Sequence, residues 1–446
     1  MTQTRFPHRP RRRICYGPAR VTHDNEFRTT RRSFLGQAGA GSFAIVSGAG
    51  SFAIVSGAAS PAWAQPAGGT VDFPFPGGNG KREITTAFPQ KGPMILQRTR
   101  PPLLETPFEV FDKGVFTPND SFYVRWHWAV IPTEIDVASF RLTVGGHVEK
   151  ELSLGLGEIL NDLPRVELAA VNQCSGNSRG FGDPRVPGAQ WGNGAMGNAR
   201  WTGVRLRDVL DRAGVKSGAT AVRFAGLDDP VVDGAPKFMK SLALDHARDG
   251  EVMIAYAMNG EQMPLLNGFP LRLIVPGWYS TYWVKMLNRI EVLAAPDDSF
   301  WMASAYLIPD TPGADMKPGQ AGLKMVPINR MVPRSFVTNL RPGDSVKASA
   351  KTLVRGIAFG GDSGVKSVEL SIDGGKGWQP TTLGRDEGKY SFRQWQAEIA
   401  PAAAGDLVLS VRCTNEQGLA QPAVANWNPG GFMHNAIEVL RLKVAA

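Results

Sequence analysis

Ala169-Ala170-Val171-Asn172-Gln173-Cys174-Ser175-Gly176-Asn177-Ser178-Arg179-Gly180 is the stretch on which the reading of this chain turns. The apolar run from Val166 to Val171 reads as a strand, and it ends in a Ser/Gly/Asn-rich loop carrying one thiol and one guanidinium. A thiolate is a soft ligand suited to a soft or borderline metal. Gly176 and Gly180 are expected to let the backbone approach a bulky group closely. Arg179 adds a permanent positive charge whose planar fork grips oxyanions. For a lone cysteine the commoner arrangement is a buried, inert thiol beside a polar turn. The rest of the chain has to decide between the two.

The 446 residues leave room for two or three domains and a large core. With 51 Gly and 33 Pro, loop-rich β structure is favoured over helical bundles. The formal charge of +9 belongs mostly to the leader, because residues 1–64 hold nine Arg and no Lys against Asp24 and Glu26. The remainder is near neutral, so nothing points to nucleic acid. Of the three cysteines, Cys15, Cys174 and Cys413, two remain once the leader is removed, which is no disulfide framework. No Cys-x-x-Cys-His run occurs, so no haem c is attached to this chain, and the thiols are too few for an iron–sulfur cluster.

Thr29-Thr30-Arg31-Arg32-Ser33-Phe34-Leu35 reads as a twin-arginine export signal, and Ala62-Trp63-Ala64 before Gln65 as its cleavage site. Residues 1–64 are therefore expected to be a signal peptide and the mature protein periplasmic. Inside the leader GSFAIVSGA occurs twice, at 41–49 and 50–58, a tandem duplication and not a structural repeat. Gly, Ser and Ala dilute its large apolar residues, so no stable membrane anchor is expected. Residues 65–105 are rich in Pro and Gly and fit no regular element, which predicts an extended arm.

Ser121 to Val130 alternates with period two. Phe122, Val124, Trp126, Trp128 and Val130 share one apolar face, and Tyr123, Arg125 and His127 the other. A strand that buries one face and lines up Arg and His on the opposite one presents them to something. Leu156, Ile159, Leu160 and Leu163 follow helical spacing up to Pro164, and Leu206, Val209, Leu210 and Ala213 repeat it up to Gly214. Gly182 to Gly197 is a Gly-rich loop containing Trp191. Phe224 to Pro230 is a strand end with Asp228 and Asp229 in a turn. Val252 to Met258 is a strand, followed by a hairpin turn at Asn259-Gly260. Gly268 to Gly277 gives a buried strand and a tight turn before Tyr282-Trp283-Val284-Lys285. From about residue 325 short alternating strands, such as Val368/Leu370/Ile372 and Leu407/Leu409/Val411/Cys413, indicate a β-sandwich with Cys413 filling its core.

Four of these features, in this order, resemble the sulfite oxidase family of molybdenum enzymes: Arg125-x-His127, Cys174-Ser-Gly-Asn-Ser-Arg179, the Pro276-Gly277 segment running to Lys285, and the C-terminal domain with Trp427-Asn428-Pro429-Gly430-Gly431. Trp278 to Trp283 looks most like the family's bacterial sulfite dehydrogenases. The resemblance implies an α+β fold. A molybdopterin-binding catalytic domain of mixed β-sheets with short helices spans 106–324, and an immunoglobulin-like dimerisation domain spans 325–446. It implies molybdenum held by molybdopterin, with Cys174 as a direct ligand. Tyr123, Arg125, His127, Asp228, Asn267, Arg272 and Lys285 would bind the cofactor, Asp228 being preferred over Asp229, and Asn267 standing where vertebrate members carry a His. Arg125, His127, Arg179, Trp191 and Tyr306 would be the catalytic group around sulfite. The implied activity is oxidation of sulfite to sulfate, with electrons leaving singly to a cytochrome c or a separate haem c subunit. The assembly would be a homodimer or a heterodimer with that subunit.

Three other readings remain open on sequence. One keeps the cofactor and changes the substrate, giving a sulfane dehydrogenase or a sulfoxide reductase. A second is a cofactor-free thiol hydrolase using Cys174 with His127 or His246. The third is an exported binding or structural protein built on the sandwich.

Overall fold

The computed structural model describes residues 68–446. The twin-arginine stretch, the duplicated nonapeptide, the cleavage site and Cys15 lie outside the described residues. Among the described residues no helix is long and apolar enough to cross a membrane.

The stretch expected to be an irregular arm is a sheet. Thr70–Asp72, Lys81–Thr85, Met94–Arg98, Leu103–Glu105 and Val124–Arg125 pair antiparallel in chain order. The prolines that argued against it fall between the strands, where no ladder hydrogen bond is lost. The strand expected over 121–130 is correspondingly short. Only Val124 and Arg125 are laddered, and Val130 makes one bridge to Asp229. The two faces are nevertheless separated as the alternation implies for Phe122, Val124 and Trp126, which are buried, whereas Val130 is 46 % exposed.

A second sheet runs in the order Met239–Ala243, Ala221–Gly226, Leu287–Leu293, Leu142–Gly146, Leu152–Leu154. It is mixed, because Leu287–Leu293 lies parallel to Leu142–Gly146. The third sheet is organised by Arg165–Gln173, which pairs over its whole length with Met196–Arg205. Met253–Met258 continues that sheet, and a two-residue turn with Asn259 at φ 55° and Gly260 at φ 77° returns the chain as Glu261–Gln262. Both turn residues are left-handed, the geometry that matches strand twist in a tight hairpin.

The two periodic segments form helices. Leu206–Ala213 buries Leu206, Val209, Leu210 and Ala213 and ends on Gly214 at φ 67°. Leu156–Asn161 buries Leu156 and Ile159 and stops before Pro164. These helices pack on a core that also holds Trp201, Trp283, Phe224 and Ile254. Each such side chain contributes about 1.5–3 kcal/mol on burial.

C-terminal to this body, two further sheets enclose one core. A four-stranded sheet contains Arg334–Val337, Thr352–Phe359, Arg393–Ile399 and Thr382–Leu383. A five-stranded one contains Ser345–Lys347, Glu438–Ala445, Gly405–Asn415, Val365–Ser371 and Gln379–Pro380. Their inward residues, including Val354, Trp395, Leu370, Leu409, Val411 and Leu442, form a single cluster in which Cys413 is fully buried. Cys174 and Cys413 are both free thiols.

Candidate active site

The hairpin of the third sheet delivers the thiol. Its last paired residues are Gln173 and Met196, and Cys174 comes next, its N–H donating to the Ala195 carbonyl at 2.9 Å. The loop from 174 to 195 is then fixed by a short 3-10 turn at Arg179–Phe181, by backbone bonds from Ser178 N–H to the Gly192 carbonyl and from Gly180 N–H to the Trp191 carbonyl, and by side chains. The Asn177 carbonyl oxygen accepts from Ala195 N–H at 2.9 Å, and the Asn177 amide donates to the Asn193 carbonyl at 3.1 Å. Glu105, buried, accepts from Gly192 N–H at 3.1 Å and from Gly194 N–H at 2.8 Å. Arg334, reaching in from the C-terminal domain, donates to Ser178 Oγ at 2.8 Å. In this loop Ser178, at φ 68°, and Gly188, at φ 114°, have left-handed backbones, whereas Gly176 and Gly180 do not. Gly176 and Gly180 make room for the protein's own side chains. A Cβ on Gly176 would lie 2.3 Å from the Arg179 guanidinium, and one on Gly180 2.3 Å from the Phe75 ring.

Cys174 stands at the junction of two cavities. The first is lined among others by Tyr123, Ser175, Asn267, Arg272 and Lys285. The second is lined among others by Arg98, Arg179, Trp191 and Phe432. Arg125, His127, Cys174 and Tyr306 line both. Among the described residues no Asp or Glu lines either cavity. The structure therefore gathers around one thiol every residue expected at the site except Asp228.

The first cavity concentrates buried positive charge. Burial, and then the Arg272 guanidinium beside it, push Lys285 down to about 7, while Asp228 acts in the opposite sense. Burial pushes Arg272 down to about 10. Its side chain donates to the Asn267 carbonyl at 2.9 Å and to Asn172 Oδ1 at 3.1 Å. Arg125 Nη1, Arg272 Nε and Ser175 Oγ are buried and have no hydrogen-bond partner in the protein. A buried polar atom left unpaired costs about 1–3 kcal/mol, more when charged, so these groups suit an anionic ligand rich in acceptors. Asn267 is only partly available for this. Its oxygen accepts from Lys91 Nζ at 2.5 Å and its amide donates to the Tyr123 carbonyl at 3.1 Å. Asp228 is buried beside Lys285 and outside the lining, its carboxyl pushed up by burial.

On the second side, His127 Nε2 and the Tyr306 hydroxyl share a hydrogen bond of 2.6 Å. Burial, and then the charges of Arg125, Lys285 and Lys240, hold His127 well below its ordinary range, so the imidazole is neutral. Burial also pushes Tyr306 up, so its phenol is protonated. Tyr306 stacks on Phe432 with ring centroids 5.5 Å apart, and the Arg179 guanidinium lies 5.3 Å over the other partner of that stack, Phe432. Arg179 donates to the Gly430 carbonyl at 2.9 Å and to the Ala189 carbonyl at 3.1 Å. Trp191 is fully buried at the same wall.

Several contributors were invisible in sequence. Lys91 and Lys240 are buried lysines, both pushed down to about 7 by burial, which no local pattern announces. Phe432 and Arg334 come from the C-terminal domain, 258 and 160 positions after Cys174. Arg98 lies in the segment expected to be irregular. The Trp427 to Gly431 run belongs to the C-terminal domain, and its carbonyl at Gly430 positions Arg179. His246, the alternative partner for a thiol hydrolase, lies outside both cavities, with Nδ1 held 2.8 Å from Asp249.

Residues 128–301 match the oxidoreductase molybdopterin binding domain, and residues 326–444 the Mo-co oxidoreductase dimerisation domain. Mitochondrial sulfite oxidase of Homo sapiens is 34 % identical over 354 residues, covering 76 % of this chain and 63 % of the human protein. Sulfite oxidase of Gallus gallus is 32 % identical over 369 residues, covering 78 % of each chain. Nitrate reductase [NAD(P)H] of Hordeum vulgare is 31 % identical, covering 72 % of this chain and 38 % of the barley protein. The chain thus spans a little under two thirds of the human relative's length and a smaller share of the plant one's. Among solved structures, the sulfane dehydrogenase SoxCD of Paracoccus pantotrophus is 26 % identical, with a TM-score of 0.65 over 76 % of this chain and 84 % of that one. With the cationic cavities meeting at one thiol, these similarities establish molybdenum and molybdopterin as the cofactor, and the chain belongs to the sulfite oxidase family of molybdopterin oxidoreductases.

Proposed function

We propose that this protein is a sulfite dehydrogenase, oxidising sulfite to sulfate and passing electrons singly to an external cytochrome c or a separate haem c subunit. The observation that carries this reading is the position of Cys174 between two cavities walled by Arg and Lys and by no carboxylate. In the first cavity Arg272 and Lys285 would hold the anionic end of molybdopterin, whose charge offsets their desolvation. Tyr123 and Asn267 would contact its ring system, with Asp228 held behind the wall beside Lys285. Cys174 would hold the metal through its thiolate, a soft donor for which serine is a poor replacement. When bound, the cofactor supplies the two-electron redox chemistry.

The protein's own contribution is binding and orientation. Sulfite is a small anion, and Arg125 and Arg179 provide its counter-charge in the second cavity. Trp191 and the Tyr306 hydroxyl are donors that orient its oxygens. His127, neutral and hydrogen-bonded to Tyr306, fixes that hydroxyl and contacts the cofactor or substrate edge. Conversion of sulfite and water to sulfate releases two electrons and two protons. In this reading the electrons are passed to a separate haem protein, the given sequence carrying no Cys-x-x-Cys-His run for covalent haem c.

We further propose that the C-terminal sheets are an immunoglobulin-like dimerisation domain over 325–446, following a catalytic domain over 106–324. The dimer would be a homodimer or a heterodimer with the haem subunit. Export to the periplasm by the twin-arginine route rests on Arg31-Arg32 and Ala62-Trp63-Ala64 alone. The likeness to a sulfane dehydrogenase supports a second reading, oxidation of a thiosulfate-linked sulfane sulfur. Steady-state assays of the purified holoenzyme with cytochrome c decide between them. Sulfite is expected to be turned over and the sulfane substrate not. Turnover of the sulfane with no sulfite activity would reverse the assignment.

A further inference from the structure

Arg98 sits where sequence reading expected no element, on the strand Met94–Arg98. Its pairing with Leu103–Glu105 slips by one residue between Leu96 and Arg98, leaving Gln97 as a bulge. Bulges re-aim the side chains next to them. Here Gln97 turns to donate to Glu105 Oε2 at 2.7 Å, and Arg98 falls opposite Leu103, which in turn falls opposite Arg125. Directly paired residues share one face of a sheet, so Arg98, Leu103 and Arg125 form a row across three strands. Two strand spacings put the outer and inner arginines about 10 Å apart at their backbones. All three line the cavity that leads to Cys174.

The two arginines differ in one respect. Arg125 is half-buried, whereas Arg98 is exposed, and among the described residues no carboxylate pairs with it. An exposed guanidinium at the rim of a carboxylate-free cavity raises the local concentration of anions and hands them inward. We infer that Arg98 is an outer oxyanion-binding station, which captures the dianionic substrate from solvent before Arg125 and Arg179 take it. This inference rests on the functional reading above and adds a binding residue to it.

The test uses the holoenzyme and its Arg98→Glu and Arg98→Lys variants, with sulfite kinetics at low and high ionic strength and calorimetric titration with sulfate. Arg98→Glu is expected to lower kcat/KM by about tenfold at low ionic strength, through KM and not kcat, and to flatten its salt dependence. Sulfate binding should weaken several-fold in parallel, and Arg98→Lys should restore most of both, since a point charge suffices for capture. Because the residue is exposed, thermal unfolding should coincide for all three proteins. Identical kcat/KM, salt dependence and sulfate affinity in wild type and Arg98→Glu would overturn the inference. A holoenzyme whose sulfate affinity depends on Arg98 but which does not oxidise sulfite would sink the functional reading and leave the anion station standing.

Discussion

His127 and Tyr306 are joined by a 2.6 Å hydrogen bond across 179 positions of chain, and Tyr306 makes it from a left-handed backbone at φ 60°. A tyrosine held in that conformation is fixed by its surroundings, here the Phe432 stack on one side and the neutral imidazole on the other. Tyr306→Phe keeps the ring and removes only the hydroxyl. Removing a donor aimed at the substrate should lower kcat/KM for sulfite about tenfold or more, and the bond lost to buried His127 should cost about 1–3 kcal/mol of stability. Steady-state kinetics beside a thermal melt checks both halves.

Gly176 is tied to Arg179 through space. A Cβ at Gly176 would lie 2.3–2.6 Å from the guanidinium atoms, which are the far end of a flexible side chain. Gly176→Ala should therefore displace Arg179 from the Gly430 and Ala189 carbonyls without unfolding the loop. The expected signature is a raised KM for sulfite with most of kcat retained. An unchanged KM would mean that Arg179 does not meet the substrate.

Glu105 gives a pH dependence with a definite sign. Burial raises its carboxyl from the usual range to about 7, against the opposing pull of Gly194 N–H, Gly192 N–H and Gln97. The folded state thus binds a proton more tightly than the unfolded chain. The stability this contributes is complete below the unfolded pKa near 4.5 and is lost as pH rises through about 7. In Glu105→Gln that slope should disappear, so the difference between variant and wild type carries it. Its single carbonyl oxygen cannot accept all three bonds that the two carboxyl oxygens accept from Gly192, Gly194 and Gln97, so stability should drop by about 1–3 kcal/mol. Chemical denaturation across the pH range from 5 to 8 measures both effects.

Much of the catalytic half was legible because its signals are local. Helical spacing marked Leu206 to Ala213, alternation separated Tyr123, Arg125 and His127 from their apolar neighbours, and Asn259-Gly260 announced a two-residue hairpin. The N-terminal sheet was missed because its strands are three to five residues long, with prolines between them, and are stabilised by partners rather than by pattern. Gly176 and Gly180 do allow close approach of a bulky group, and the groups that approach are the protein's own Arg179 and Phe75. Phe432 and Arg334 could not be found at all, because nothing in a sandwich strand or its closing turn says which other domain it will touch.

The account depends most directly on the Cys174 sulfur. X-ray absorption at the molybdenum edge, on wild-type holoenzyme and on Cys174→Ser of matched metal content, should show one sulfur neighbour fewer in the variant. The folded state would be retained and sulfite oxidation lost. The same sulfur count in both proteins, with turnover preserved in the serine variant, would contradict direct ligation.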